Sequence, residues 1–122
     1  MAFYDAGRKA VYLNPGVAPV EAAQAAVDNF ATSNWSSPDP HHVLLHEFGH
    51  FNHHLAIGDL GFRAAIKRGS VPWSDEPMIM REVGAYAATS NGNFVAEVFA
   101  GRCVGRKFPS AVTRLYSQLG GP

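Results

Sequence analysis

The chain has 122 residues, 47% of them hydrophobic and 16% charged, which suits one folded domain over 1–122 and excludes a disordered chain. Ten basic and ten acidic residues cancel, so no bulk charge draws the protein to nucleic acid or anionic lipid, and neither is expected as a partner. The single Cys103 excludes an internal disulfide or a multi-cysteine zinc knot. No apolar run is long enough for a membrane span and no signal peptide is evident, so a cytoplasmic or particle-associated protein is expected.

In chain order, "KAVYLNPG" reads as a short strand, Ala10 to Leu13, closed by the turn Asn14-Pro15-Gly16. An Ala-rich helix follows, with Pro19 in its first turn and Val20, Ala23, Val27, Phe30 and Ala31 at helical spacing. Ser33 to Pro40 is a loop, and Asp39 can cap a second helix starting near His41 or His42. Val43, Leu44, Phe48, Phe51 and Leu55 fit a mostly buried helix that ends around Gly58, where "GDLG" breaks or bends the chain. A short helix from Phe62 to Lys67, a helix or helix-loop over Met78 to Ser90, and a helix from about Gly92 to Val104 come next. A last short helix has Pro109 in its first turn. The expected class is α+β, mostly helical.

Four of the six histidines, His46, His50, His53 and His54, lie in "VLLHEFGHFNHH". On a helix, His46 and His50 share one face a turn apart, a spacing that lets two imidazoles reach one ion. Glu47 stands beside the first of them and can hydrogen-bond a water in an open coordination position. The pattern H-E-x-x-H therefore reads as a zinc-bound water with a carboxylate general base. Apolar flanks make unpaired His and Glu costly here, and Gly49, unfavourable by roughly 1 kcal/mol in a helix interior, implies close packing against something. His53 and His54 read as solubilising residues near the helix end, and His41 and His42 as first-turn or loop residues.

A catalytic zinc needs a third protein ligand. The longer pattern H-E-x-x-H-x-x-G-x-x-H is absent, because His53 and Ala56 stand at its last fixed positions. That leaves a downstream carboxylate, and of Asp59, Asp75, Glu76, Glu82 and Glu97 only Glu82 and Glu97 fall on expected helices.

Together, "LLHEFGHFNHH" and the later "VGAYAATSNGNFVAEVFAG" resemble the zincins related to anthrax lethal factor. The similarity is greatest to the small zincin-like domains of phage head-morphogenesis and polyvalent proteins, and it runs from Lys9 to the end. Those families follow H-E-F-G-H with Y-x-x-x-x-x-x-E-F-x-A-E-x-F. The resemblance implies a minimal zincin fold: a short strand, a backing helix, the H-E-x-x-H helix and a C-terminal helix. In the family the tyrosine and first glutamate approach the metal, the glutamate as third ligand, while the second glutamate supports a histidine. Tyr86 matches the tyrosine, which could stabilise an oxyanion, and Glu97 matches the supporting glutamate.

The ligand position falls on Asn93, a neutral and weaker donor. Three outcomes follow: Glu97 ligates directly, Asn93 or a water completes a weaker site, or the domain keeps the fold without activity. The residue set carried forward is His46, His50 and Glu97 around Zn²⁺, with Asn93 as the alternative third ligand and Glu47 and Tyr86 as catalytic groups. The expected activity is zinc-dependent peptide-bond hydrolysis on a peptide or protein substrate, with the strand "KAVYL" lining the cleft. The competing expectation is a catalytically weak or inactive interaction domain of a phage particle, beside other domains of a phage or toxin-like protein.

Overall fold

The computed structural model describes residues 2–122. Its elements run β1 (Ala2–Asp5), β2 (Ala10–Leu13), α1 (Pro19–Ala31), α2 (His42–Ala65), α3 (Glu76–Glu82), a 3₁₀ turn (Tyr86–Thr89), α4 (Asn91–Cys103) and α5 (Ser110–Gln118). The mostly helical α+β class is what the structure has, and β2, α1, α4 and α5 lie where the patterning puts them.

The centre is α4. Its Phe94, Val95, Ala96 and Val98 are fully buried, so it is apolar on several sides rather than along one stripe. Ser90 starts it by accepting the Asn93 N–H on its hydroxyl at 3.0 Å. Ile79 of α3, Val83 just after it, and Val112 and Tyr116 of α5 complete the core around it. On its other side α2 crosses closely: a Cβ at Gly49 would stand 2.8 Å from the Ala96 Cα. That approach is the packing which a glycine inside this helix implied.

Gly58 interrupts α2 with φ 79°, a conformation that glycine adopts freely, and the chain then resumes a helix to Ala65. The bend expected at "GDLG" is therefore a kink between two helical arms. Arg106 ties the loop before α2 to the end of α3, donating to Ser36 O at 2.6 Å and Glu82 O at 2.7 Å.

Three expectations are corrected. Residues Ala2–Asp5 form a strand that four residues of "AFYD" were too short to announce, and it pairs antiparallel with β2 from Ala2↔Leu13 to Asp5↔Ala10. The stripe of α1 faces outward: Val20, Val27 and Phe30 are exposed, and Ala22, Ala25 and Ala26 turn inward. Phe48 and Leu55 are also exposed on α2. Among the described residues no helix is long and apolar enough to cross a membrane.

Candidate metal centre

On the first arm of α2, His46 and His50 stand one turn apart, and their Nε2 atoms meet at 3.0 Å. Their rings are edge to face with centroids 4.6 Å apart. Two lone pairs cannot face each other at this distance, so one proton lies between the nitrogens. Burial, the largest single influence, works against the charged form of His46, but the bond to Glu97 and the charges on Glu97 and Glu47 together outweigh it and raise the pKa of that ring. Burial, and then the charge on His46, push His50 down to about 3. The proton accordingly belongs to His46, and His50 offers it a lone pair. Nδ1 of His50 is buried without a hydrogen-bond partner.

Glu97 reaches His46 from behind. Its Oε1 accepts from Nδ1 of His46 at 2.6 Å and from Nε2 of His42 at 2.9 Å, while Oε2 accepts from the Ser36 N–H at 2.7 Å. All three side chains are buried. Burial alone would raise the Glu97 pKa, but the bonds from His42 and His46 bring it down to about 2. Nδ1 of His42 accepts from the Ser37 hydroxyl at 2.9 Å, and Trp35 stacks on the His42 ring at 4.8 Å. Glu97 thus meets the ring nitrogen of His46 that points away from His50, the arrangement in which a carboxylate fixes a ligating imidazole's orientation and tautomer. Ring nitrogens of His42 and His46 and an oxygen of Glu97 also lie within 4.8 Å of one another, so that trio is a second group able to hold an ion. Both of its short hydrogen bonds would have to open to admit one.

Glu47 lies on the strand side of α2. Its Oε2 accepts the backbone N–H of Tyr4 at 2.8 Å, and burial raises its pKa against the lowering pull of His46 and Tyr4. Because that N–H is spent on Glu47, the alternation of an antiparallel ladder gives the bonds to β2 to Phe3 and Asp5. The strand lining the cleft is therefore β1; "KAVYL" is the outer strand of the pair. Tyr4 is held in turn by its hydroxyl, which donates to Nδ1 of His54 at 2.8 Å, and Nε2 of His54 donates to Asp59 at 2.6 Å. Phe62 stacks on His54 at 4.5 Å.

Asn93 enters from the first turn of α4. Its Nδ2 donates to the Thr89 hydroxyl at 2.9 Å, and its side chain borders one hollow with Glu47 and His50. The Tyr86 ring lies against His46 with centroids 5.3 Å apart. Burial, then Glu47 and Glu97, raise the Tyr86 pKa, so its hydroxyl keeps a proton to donate. The Glu82 side chain is turned elsewhere, pairing with Arg81 at 2.9 Å, and lines none of the hollows at this group.

The donor set fits a zinc ion. Tetrahedral coordination with Zn–N near 2.05 Å separates two nitrogens by about 3.3 Å, close to the separation of the two Nε2 atoms.

His42, Ser36, Tyr4, His54 and Asp59 are site or supporting residues that sequence reasoning missed. His53 and His54 are buried rather than solubilising, and His53 donates to Leu119 O at 2.8 Å. A His54-to-Asp59 spacing across a glycine bend was the available signal for one of these bonds. The contacts of His42 and Tyr4 depend on segments distant in the chain and carried none. No family model, curated protein or solved structure matches the chain.

Proposed function

We propose that the protein is a zinc-dependent metallopeptidase whose ion is held by Nε2 of His46, Nε2 of His50 and the side-chain oxygen of Asn93. The observation that carries this reading is the convergence of the two Nε2 atoms at 3.0 Å beside Glu47 and Tyr86. Bound there, the ion would supply Lewis-acid polarisation of a substrate carbonyl and a lowered water pKa.

The chain's own residues do the rest. Glu97 keeps Nδ1 of His46 occupied, so Nε2 stays turned to the cleft. Tyr4 N–H holds Oε2 of Glu47 and leaves Oε1 free to take a proton from the attacking water. Burial raises the Glu47 pKa, which strengthens it as a base and lets it pass that proton to the departing amine. Tyr86 would donate a hydrogen bond from its hydroxyl to the carbonyl oxygen as charge develops there, keeping its proton.

A second reading, a non-catalytic interaction domain of a larger assembly, is favoured by one feature: Asn93 leaves the donor set without an anionic ligand. The test is metal analysis of the purified protein together with a chelator-sensitive peptidase assay. The expected result is one zinc per chain, hydrolysis abolished by chelation, and a Glu47→Gln protein that keeps its zinc but loses about 10²–10⁴ in rate. Zinc without hydrolysis would favour the second reading. Hydrolysis unchanged in Glu47→Gln would end the first. Zinc lost in His42→Ala but kept in His50→Ala would move the ion to the His42–His46–Glu97 trio.

A further inference from the structure

Hollows lie one after another along β1, and Glu47 borders the two at their middle. A groove of about 480 Å³ between the hairpin, α1 and the start of α2 shares Ala2, Trp35 and Val43 with the 320 Å³ cavity over His46 and Glu47. Glu47 also borders a 220 Å³ hollow with Tyr4, His50 and Asn93, and that one shares Ala6, Phe62 and Ile66 with a 380 Å³ hollow beyond it. β1 supplies Ala2, Phe3 and Tyr4 and the turn after it Ala6 and Gly7, so the strand gives the hollows about 10 Å of extended chain, the reach of three or four peptide residues, before the chain turns along the far hollow.

The two ends differ in chemistry. The groove beyond Trp35 is walled by apolar side chains, among them Leu13, Val17, Val43 and Leu44. The far hollow is walled by Lys9, Asp59 and Arg63. Asp59 is engaged by His54 at 2.6 Å and by Lys9 at 3.6 Å, whereas Arg63 is exposed and makes no ion pair or hydrogen bond among the described residues. Two cations against one carboxylate leave an unpaired guanidinium, a fork suited to a carboxylate.

We propose that the trough selects an extended peptide by polarity, seating a bulky apolar side chain in the Trp35 groove and a carboxylate on Arg63, with the bond to be cut lying over Glu47. This rests on the peptidase reading and adds the class of substrate to it. A bulky side chain in the groove removes apolar surface from water on both partners, an advantage of roughly tenfold or more over alanine. An exposed charge contact contributes less, up to roughly fivefold.

The experiment uses the Glu47→Gln protein carrying Trp73→Phe, so that Trp35, the remaining tryptophan, reports occupancy by fluorescence. Trp73 is 84% exposed and lines none of these hollows, so its replacement leaves the trough intact. Acetylated hexapeptides carry Phe or Ala toward one end and Glu, Gln or Lys toward the other, with free or amidated termini. Phe with Glu should bind tightest, about tenfold tighter than Ala with Glu and several-fold tighter than Phe with Lys. Amidation that weakens the Glu, Gln and Lys peptides alike would assign the carboxylate to the chain terminus, and a Glu-over-Lys order that persists in the amides would assign it to the side chain. Arg63→Glu should reverse the Glu-over-Lys order, and Leu13→Asp should remove the preference for Phe. Binding that ignores both ends, no binding, or an unchanged order in Arg63→Glu overturns the inference. Digestion of casein by the wild-type protein is scored separately. Digestion without these preferences leaves the peptidase reading standing alone, and preferences without digestion leave a peptide-binding trough that is not a peptidase.

Discussion

His46 is bonded at both ring nitrogens, and this decides what each neighbour can do. Glu97 holds Nδ1, so on the proposed reading its carboxylate would act on a bound ion through the ring, and replacing it should loosen the metal without deleting a donor. Glu97→Gln is expected to weaken zinc binding about 10- to 100-fold in chelator competition. Unchanged affinity would contradict a supporting role. Asn93→Glu adds an anionic donor on the open side and should tighten zinc by a similar factor, read in the same competition. No gain would mean that Asn93 does not face the ion. The H-E-x-x-H spacing made His46, Glu47 and His50 legible in the sequence, because i and i+4 on a helix share a face whatever surrounds them. It left Glu97 with two possible roles, since the ring nitrogen a carboxylate meets depends on how α4 approaches α2. His42 and His54 were read as peripheral for the same reason: Glu97, Tyr4 and Ser37 come to them from other segments.

At the scale of elements, the crossing of α2 over α4 sets the site, because it brings His46 to Glu97 and His50 to Asn93. Gly49 permits it. A methyl there would meet the Ala96 backbone at 2.8 Å, which cannot yield as a flexible side chain would. Gly49→Ala should cost about 1–3 kcal/mol and lower Tm by several degrees in thermal unfolding. A Tm equal to wild type would show that the helices have room to spare. The hairpin is held by other means, since two short strands are marginal alone. Tyr4 packs against Phe51 and Phe62 and donates to His54, and its backbone N–H positions Glu47. The glycine signal in α2 was readable from the sequence because it violates local propensity. β1 was not, because a four-residue strand is defined by its partner more than by its own pattern.

For the whole molecule, the buried ionisable groups tie stability to pH in the zinc-free protein. The folded pKa of Glu97, about 2, lies below the ordinary carboxyl value, so its contribution is full above pH 4.5 and is lost as pH falls through about 2. His50, at about 3 when folded and near 6.5 when unfolded, resists protonation, and its effect likewise weakens the fold as pH falls from 6.5 toward 3. His46 has the opposite sign: its raised pKa adds stability below 6.5 that is lost as pH rises through the folded value. Zinc-free protein should therefore lose Tm between pH 6.5 and 3, and His50→Gln should flatten that limb in a pH series of thermal melts. A limb unchanged by the substitution would mean that His50 titrates normally.

These effects converge on one structural claim, that an ion sits between Nε2 of His46 and Nε2 of His50. Anomalous diffraction at the zinc edge from zinc-soaked crystals tests it most directly. The account predicts a peak about 2.0–2.1 Å from both Nε2 atoms, with Glu97 still bonded to Nδ1 of His46. A peak between His42 and Glu97, or none near His50, would contradict it.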